Sequence, residues 1–154
     1  TDIWTVHNYQ QDGNKLRQEL FDGTKYQQTP NNLQKDNFGN IGFNHPKGYD
    51  MFDYKKYEGG MPYLIDEFGG IKCQETQPEG NSWGYGEAAK TREDFYKRLE
   101  SQVDALLSIN GEVWGFCYTQ LTDVEQEQNG IYYYDRQPKF DMKRIHQIFS
   151  KPLP

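Results

Sequence analysis

The order of three short apolar runs, separated by segments of helical or loop character, constrains the fold most. The runs span residues 1–9, 62–67 and 112–119. The first alternates apolar and polar residues, the second is continuously apolar before its acidic end, and the third is apolar on both faces, as in a strand covered by helices. Strands that alternate with helices predict parallel β/α units. The sequence therefore predicts an α/β protein.

Helical patterns lie between and after these runs. The clearest begins at a capping signal at Thr91 and continues with apolar residues at helical spacing as far as residues 110–111. Weaker patterns predict short helices over 14–20 and 49–57, and Asp141 is predicted to cap a final helix. Trp4 and Trp114, which lie on the first and third apolar runs, are predicted core residues.

Two long segments, 24–48 and 69–90, are rich in glycine and amide residues and are predicted loops. Loops of this length are usually functional or disordered. The second carries Trp83 and Tyr85 among glycines. Aromatic rings stack on sugars as well as pack in cores, so Trp83 is a candidate sugar contact. Packing beneath the loop is the alternative for both aromatic residues.

Composition excludes several functions. The net charge of −6 leaves no basic stripe to neutralise phosphates, which argues against nucleic-acid binding. No apolar run approaches the roughly 18 residues that a membrane helix needs. Cys73 and Cys117 form neither a Cys-x-x-Cys pair nor a metal-ligand spacing, so free thiols are expected. No metal and no cofactor are predicted.

A carboxylate ends the second predicted strand. Glu67 follows the apolar run and precedes Phe68 and two glycines, whose loop would let backbone approach a ligand closely. A charge at the end of a buried strand is costly when it is unpaired. In α/β barrels, catalytic groups lie at the carboxyl ends of the strands. Glu67 is therefore either a salt-bridged strand end or a catalytic residue.

The three strand ends, taken in chain order, resemble the C-terminal part of the catalytic barrel of family 2 glycoside hydrolases, the β-galactosidases, β-glucuronidases and β-mannosidases. The resemblance covers residues 1 to about 150. It implies a partial (β/α)8 TIM barrel consisting of strands six to eight, with residues 1–154 forming one C-terminal fragment of that domain. The matching motifs are His7-Asn8-Tyr9, Asp66-Glu67-Phe68-Gly69, Tyr118-Thr119-Gln120-Leu121-Thr122-Asp123, Asn129-Gly130-Ile131 and Tyr134-Asp135-Arg136-Gln137-Pro138-Lys139.

The resemblance implies roles for individual residues. Glu67 matches the family nucleophile, which attacks the anomeric carbon in a retaining mechanism, and Tyr9 matches the tyrosine that orients it. The remaining candidates are expected to contact a carbohydrate substrate. They are His7, Asn8, Thr119, Gln120 and Asp123, and Trp83 joins them because of its place in the glycine-rich loop.

Two departures from the family pattern matter. The family acid/base belongs to an Asn-Glu pair on the fourth strand, and no such dipeptide occurs in this sequence. The fragment is therefore expected to be inactive alone, with activity in a full-length parent. Second, family members often carry a tryptophan at the position aligned with Thr119, and this difference bears on which sugar is bound. The glucuronidase branch also carries an Asn-x-Lys pair that binds the sugar carboxylate, whereas residues 127–129 supply no cation here. A neutral β-glycoside such as a galactoside is therefore the expected substrate.

Other interpretations stay open. His7 could be a structural strand-end histidine, and Glu125 and Glu127 are interpreted as a solvated acidic loop. The chain could also be a non-catalytic carbohydrate-binding or assembly module.

Three β/α units leave two exposed strand edges, which predicts self-association of the fragment or oligomerisation of the parent.

Overall fold

The computed structural model describes residues 2–24, 60–77, 80–109 and 111–154. The described residues form an α/β structure in which three parallel strands alternate with three α-helices. The helix predicted over 49–57 and nearly all of the loop predicted over 24–48 lie outside these residues. In chain order the elements are β1 (Trp4–Asn8), α1 (Gly13–Thr24), β2 (Tyr63–Gly69), a 3₁₀ turn (Gln74–Thr76), α2 (Arg92–Leu107), β3 (Gly115–Thr119) and α3 (Met142–Phe149).

The sheet has the order β1-β2-β3, with β2 in the centre and both pairs parallel. This confirms the predicted parallel β/α arrangement. The register places His7 opposite Glu67 and Gly69 opposite Thr119. The carboxyl ends of all three strands therefore meet at one edge of the sheet. The register shifts between Val6 and His7, so that Asp66 of β2 has no Cα partner on β1 just before this edge.

Helix α2 confirms the strongest helical signal in the sequence. Thr91 accepts a hydrogen bond from the backbone N–H of Asp94, and the Asp94 carboxylate accepts one from the backbone N–H of Thr91. The helix ends at Leu107, before the predicted stop, because the chain continues in tight turns in which Gly111 takes a positive φ of 84°. No helix in the described residues is long and apolar enough to cross a membrane.

The helices cover one face of the sheet. Tyr63 and Ile65 of β2 are fully buried with Leu16 of α1 in a common core. Leu64 lies on the opposite face, where a Cβ placed on Gly115 would come within 3.0 Å of its side chain. Side chains on this second face are half-buried or exposed. A parallel sheet is usually covered on both faces, but within the described residues this second face is bare.

The two tryptophans predicted for the core differ. Trp4 is half-buried and packs against the core, whereas Trp114 is 73 % exposed, so the prediction for Trp114 is wrong. The physical reason is that β3 begins only at Gly115. Trp114 lies in the turn that leads into the strand, where its backbone N–H donates to the carbonyl of Tyr63 and its side chain is left outside the helix-covered face.

Candidate active site

Glu67 lies near the carboxyl end of the central strand β2. Two side chains contact it: His7, which belongs to β1, and Tyr9, which follows β1. The Tyr9 hydroxyl donates a hydrogen bond to Oε2 of Glu67. Nδ1 of His7 lies 3.1 Å from the same Oε2. The Glu67 side chain remains 37 % exposed, so the carboxylate is held by protein groups and still reaches solvent. This combination suits a group that must react with a bound molecule.

His7 also faces a second carboxylate. Its Nε2 lies 3.5 Å from Oδ1 of Asp66, and this oxygen is buried without a well-formed hydrogen bond to any described residue. The imidazole therefore lies between the carboxylates of Asp66 and Glu67. This placement lets one ring interact with both carboxylates.

Tyr9 is buried at 8 % exposure, and its ring stacks face to face on Tyr85 with centroids 3.4 Å apart and planes 3° apart. Burial first, and then the hydrogen bond to Glu67, raise the pKa of the Tyr9 phenol far above its ordinary range, while a hydrogen bond with Thr119 acts in the opposite direction. Tyr9 therefore remains a protonated donor to Glu67 at all physiological pH values.

The two glycines after Glu67 make room for this arrangement. Gly69 and Gly70 adopt positive φ angles of 92° and 60°. A Cβ on Gly69 would lie 2.2 Å from the Tyr118 ring, and one on Gly70 would lie 2.4 Å from the Tyr85 ring. Only glycine combines this backbone geometry with the close approach of the two rings. Gly70 thus allows Tyr85 and Tyr9 to pack closely beside it, and Gly69 does the same for Tyr118.

Trp83 lies at the rim of the cluster. Its side chain is 47 % exposed, and its ring meets Tyr85 edge-on with centroids 5.8 Å apart. The backbone of Trp83 is fixed by two hydrogen bonds: its N–H donates to the carbonyl of Gln126, and its carbonyl accepts from the N–H of Gln128. The indole is therefore an exposed aromatic surface on a well-anchored loop, adjacent to the carboxylate cluster.

Two predicted sugar contacts are engaged by protein groups. The Asn8 amide donates to Glu19 at 3.0 Å, while its carbonyl oxygen accepts from the backbone N–H of Gln10 at 2.9 Å. The Gln120 amide donates to the carbonyl of Glu127 at 3.1 Å. These contacts fix the loops that follow β1 and β3.

Asp123 lies in a separate buried cluster. Its carboxylate pairs with Lys139, and it accepts further hydrogen bonds from the backbone N–H of Gly130 at 3.0 Å and from Gln77 at 3.1 Å. Burial lowers the pKa of the Lys139 ammonium, and its pairing with Asp123 opposes that shift. This ion pair joins the loop after β3 to the segment that leads into α3.

The structure adds two residues that the sequence did not place in the site. Tyr85 stacks on Tyr9, and burial followed by the charges of Glu127 and Glu67 raises the pKa of its phenol. Glu127 is half-buried rather than fully solvated, and its Oε1 accepts from the Asn129 amide at 3.2 Å. The sequence signal for Tyr85 was its place among the same glycines as Trp83. For Glu127 no local signal existed, because its position depends on pairing with the loop at Trp83.

The cluster is acidic. Asp66, Glu67 and Glu127 contribute carboxylates, and no lysine or arginine in the described ranges contacts Glu67. Within those ranges no group of histidine, cysteine, aspartate and glutamate side chains is placed to hold a metal ion. Cys73 and Cys117 are both free, as predicted.

Comparisons with known proteins give limited similarity. No family model matches this chain, and no curated protein matches it. Among solved structures, the chain is similar to the β-glucuronidase of Bifidobacterium dentium in complex with coumarin-3-O-glucuronide, with 19 % sequence identity and a TM-score of 0.42. The matched region covers 60 % of this chain and 15 % of that protein. A likeness of this size establishes neither a family nor a barrel fold.

Proposed function

We propose that this chain is the C-terminal part of the catalytic (β/α)8 barrel of a retaining β-glycosidase and that Glu67 is the nucleophile. One observation carries the proposal. A buried, protonated tyrosine donates to a half-exposed carboxylate at the carboxyl end of the central parallel strand, beside an exposed tryptophan. The carboxyl ends of strands are where barrel enzymes place catalytic groups, and an aromatic rim suits a sugar ring.

The proposed reaction proceeds in two displacements. An oxygen of Glu67 forms a bond to the anomeric carbon while the bond from that carbon to the aglycone oxygen breaks. A second carboxylic acid gives its proton to the departing oxygen and then removes a proton from the water that hydrolyses the glycosyl-enzyme. Tyr9 stabilises the ionised carboxylate before the first displacement, and again as it is released in the second, through its hydrogen bond.

The second carboxylic acid belongs, in this proposal, to a part of the barrel outside residues 1–154. The two carboxyl groups of a retaining glycosidase stand roughly 5–5.5 Å apart, so both must enter one pocket. The family's Asn-Glu pair, absent from this sequence, is the proposed source. Hence the 154-residue chain is expected to be inactive alone, and the full-length protein to be active.

A neutral β-glycoside, such as a galactoside, is the proposed substrate. No lysine or arginine in the described ranges contacts Glu67, and a uronate would bring a further negative charge beside the carboxylates of the cluster. The charge of Glu127, which acts on the nearby Tyr85 phenol, adds to this effect. Acidic sugars are expected to be poor substrates.

Covalent trapping tests the proposal. The full-length protein is treated with an activated 2-deoxy-2-fluoro-β-galactoside, which accumulates the glycosyl-enzyme, and its peptides are mapped by mass spectrometry. We expect a single tag on Glu67, none in Glu67→Gln, and normal labelling in the control Glu87→Gln, whose side chain lies exposed on a loop. A tag on another residue would show that the nucleophile is misassigned.

The exposed indole of Trp83 favours a second candidate, a non-catalytic carbohydrate-binding module. The two functions differ in their response to Glu67→Gln. In a glycosidase this change abolishes turnover and spares sugar binding. A protein that binds β-sugars, is never labelled by fluoro-sugars of several configurations and is unaffected by Glu67→Gln would support the binding module.

A further inference from the structure

The two groups that hold Glu67 act on the same oxygen. The Tyr9 hydroxyl and Nδ1 of His7 both contact Oε2. Within the described part of the chain, the hydrogen bond that Glu67 accepts is made to Oε2 and none is made to Oε1. A carboxylate bound in this way has one oxygen that is fixed and one that is available. The two oxygens of the carboxylate therefore have different surroundings. In a symmetric arrangement each oxygen would have one donor.

The backbone explains how one imidazole reaches two successive carboxylates. Consecutive side chains of a regular strand point to opposite faces, so Asp66 and Glu67 should diverge. The register is irregular on both strands at this level, between Val6 and His7 and between Ile65 and Phe68. His7, which pairs with Glu67 across the ladder, thereby places Nδ1 3.1 Å from Glu67 Oε2 and Nε2 3.5 Å from Asp66 Oδ1.

We propose that His7 is a positioning residue, held on its far side by Asp66, that fixes Oε2 of Glu67 together with Tyr9 and leaves Oε1 as the oxygen that attacks the anomeric carbon. The inference rests on the proposed function of Glu67. In the displacement, the Oε1–carbon bond forms as the bond to the aglycone oxygen breaks, and that oxygen takes its proton from the second carboxylic acid. His7 touches the nucleophile and not the sugar, which differs from the direct substrate contact expected from the sequence.

A double-mutant cycle with azide distinguishes a His7 that positions Glu67 from a His7 that contacts the sugar. In Glu67→Ala of the full-length protein, azide attacks the anomeric carbon of a 2,4-dinitrophenyl β-galactoside. A nitrogen–carbon bond forms, and dinitrophenolate leaves with the electron pair, so the step needs no proton and yields the α-glycosyl azide. This rescued reaction proceeds without the carboxylate that His7 is proposed to position. The same substrate is then used in both backgrounds, with and without His7→Ala.

With Glu67 present, His7→Ala is expected to lower kcat about 10- to 100-fold with KM nearly unchanged, because misplacement of a reacting atom costs rates of this order. In the Glu67→Ala background with azide, His7→Ala should have almost no further effect. His7→Asn should recover part of the lost rate, since its amide nitrogen can occupy the place of Nδ1. His146→Ala, an exposed residue of α3, should change neither reaction.

Asp66→Asn supplies an independent variant if His7→Ala fails to fold, as judged by its thermal unfolding. Asp66→Asn should lower kcat when Glu67 is present, with KM nearly unchanged, and should have no effect on the azide reaction of Glu67→Ala. The inference is overturned if His7→Ala lowers the azide reaction by the same factor as the natural one, or if it raises KM, because either result places His7 on the sugar. If Glu67→Ala keeps full activity, or yields no glycosyl azide, the proposed function itself fails.

Discussion

At the scale of single residues, the site depends on a tyrosine that cannot easily lose its proton. Tyr9 is enclosed by the Tyr85 ring and donates to Glu67, and both features favour its neutral form. A phenol that stays protonated can donate a hydrogen bond to an ionised carboxylate at every physiological pH. The sequence suggested this pair only through resemblance, because nothing in the spacing of residues 9 and 67 shows that they meet.

Tyr9→Phe removes the hydroxyl and keeps the ring that stacks on Tyr85. Hydrogen bonds to charged groups contribute about 1.5–3 kcal/mol, so we expect kcat of the full-length enzyme to fall about 10- to 100-fold. Steady-state kinetics with an activated β-galactoside measures this change. Tyr134→Phe, at an exposed tyrosine, is the control and should be neutral. Unchanged kcat in Tyr9→Phe would mean that the phenol does not support Glu67.

The raised pKa of Tyr9 also predicts how the stability of the chain depends on pH. An unfolded tyrosine ionises near pH 10, whereas folded Tyr9 stays protonated above that value. The unfolded state therefore binds fewer protons in alkali, so the stabilisation is complete below about pH 10 and is lost as the pH rises beyond it. Urea unfolding between pH 8 and 11 should show a decline that is shallower in Tyr9→Phe. Equal slopes would contradict the shift.

At the scale of elements, the helices are brought together by a close backbone contact. Gly13, the first residue of α1, is buried against α2, where an added Cβ would lie 2.3 Å from the Ser101 hydroxyl and 2.4 Å from its carbonyl oxygen. Backbone atoms cannot move aside as a flexible side chain can. The packing of α1 on α2 therefore requires glycine at this position although its φ is not positive.

Gly13→Ala should destabilise the chain by about 1–3 kcal/mol through overpacking, in spite of the better helix propensity of alanine. Gly80→Ala is the matched control, because nothing lies within 4 Å of its added Cβ. Denaturant unfolding of both variants gives the comparison. If Gly13→Ala proves neutral or stabilising, α1 does not approach Ser101 as closely as described.

The sequence predicted elements better than it predicted the contacts between them. Local signals, such as the Thr91 cap, are sufficient for α2, and the apolar run of β2 precedes a carboxylate that the fold places as expected. The burial of Trp114 was predicted wrongly, because apolar character does not show where a strand begins. The position of Glu127 beside Tyr85 depends on hydrogen bonds between the loop at Trp83 and residues 126–128, about 40 positions away, which no local pattern encodes.

At the scale of the whole molecule, the sheet is only partly covered. β1 and β3 are edge strands, and the helices cover one face. Trp114, Leu121 and Val124 are large apolar side chains left exposed in the turn before β3 and in the loop beyond it. In a complete barrel, further strands would pair with both edges. No further strand is present among the described residues, so within them the apolar surface and the two strand edges are open to other molecules.

We propose that the isolated chain associates with itself. Sizing with light scattering should give a mass that rises with protein concentration, because edge pairing and apolar contact are bimolecular. Trp114→Lys should shift this equilibrium towards monomer, since it places a charge in the exposed apolar region. Leu153→Lys, at an exposed residue beyond α3, should leave it unchanged. A constant monomeric mass at every concentration would rule out self-association.

The two cysteines give the protein a chemical reporter of its own assembly. Cys117 is exposed on β3, on the same side of the strand as Gly115 and hence on the bare face of the sheet, whereas Cys73 is buried and its thiol pKa is raised by that burial. A thiol-directed reagent should therefore modify Cys117 quickly in the isolated chain and leave Cys73 intact. Any partner that covers the bare face would slow the modification of Cys117. The rate of alkylation therefore reports the binding of such a partner without an added label.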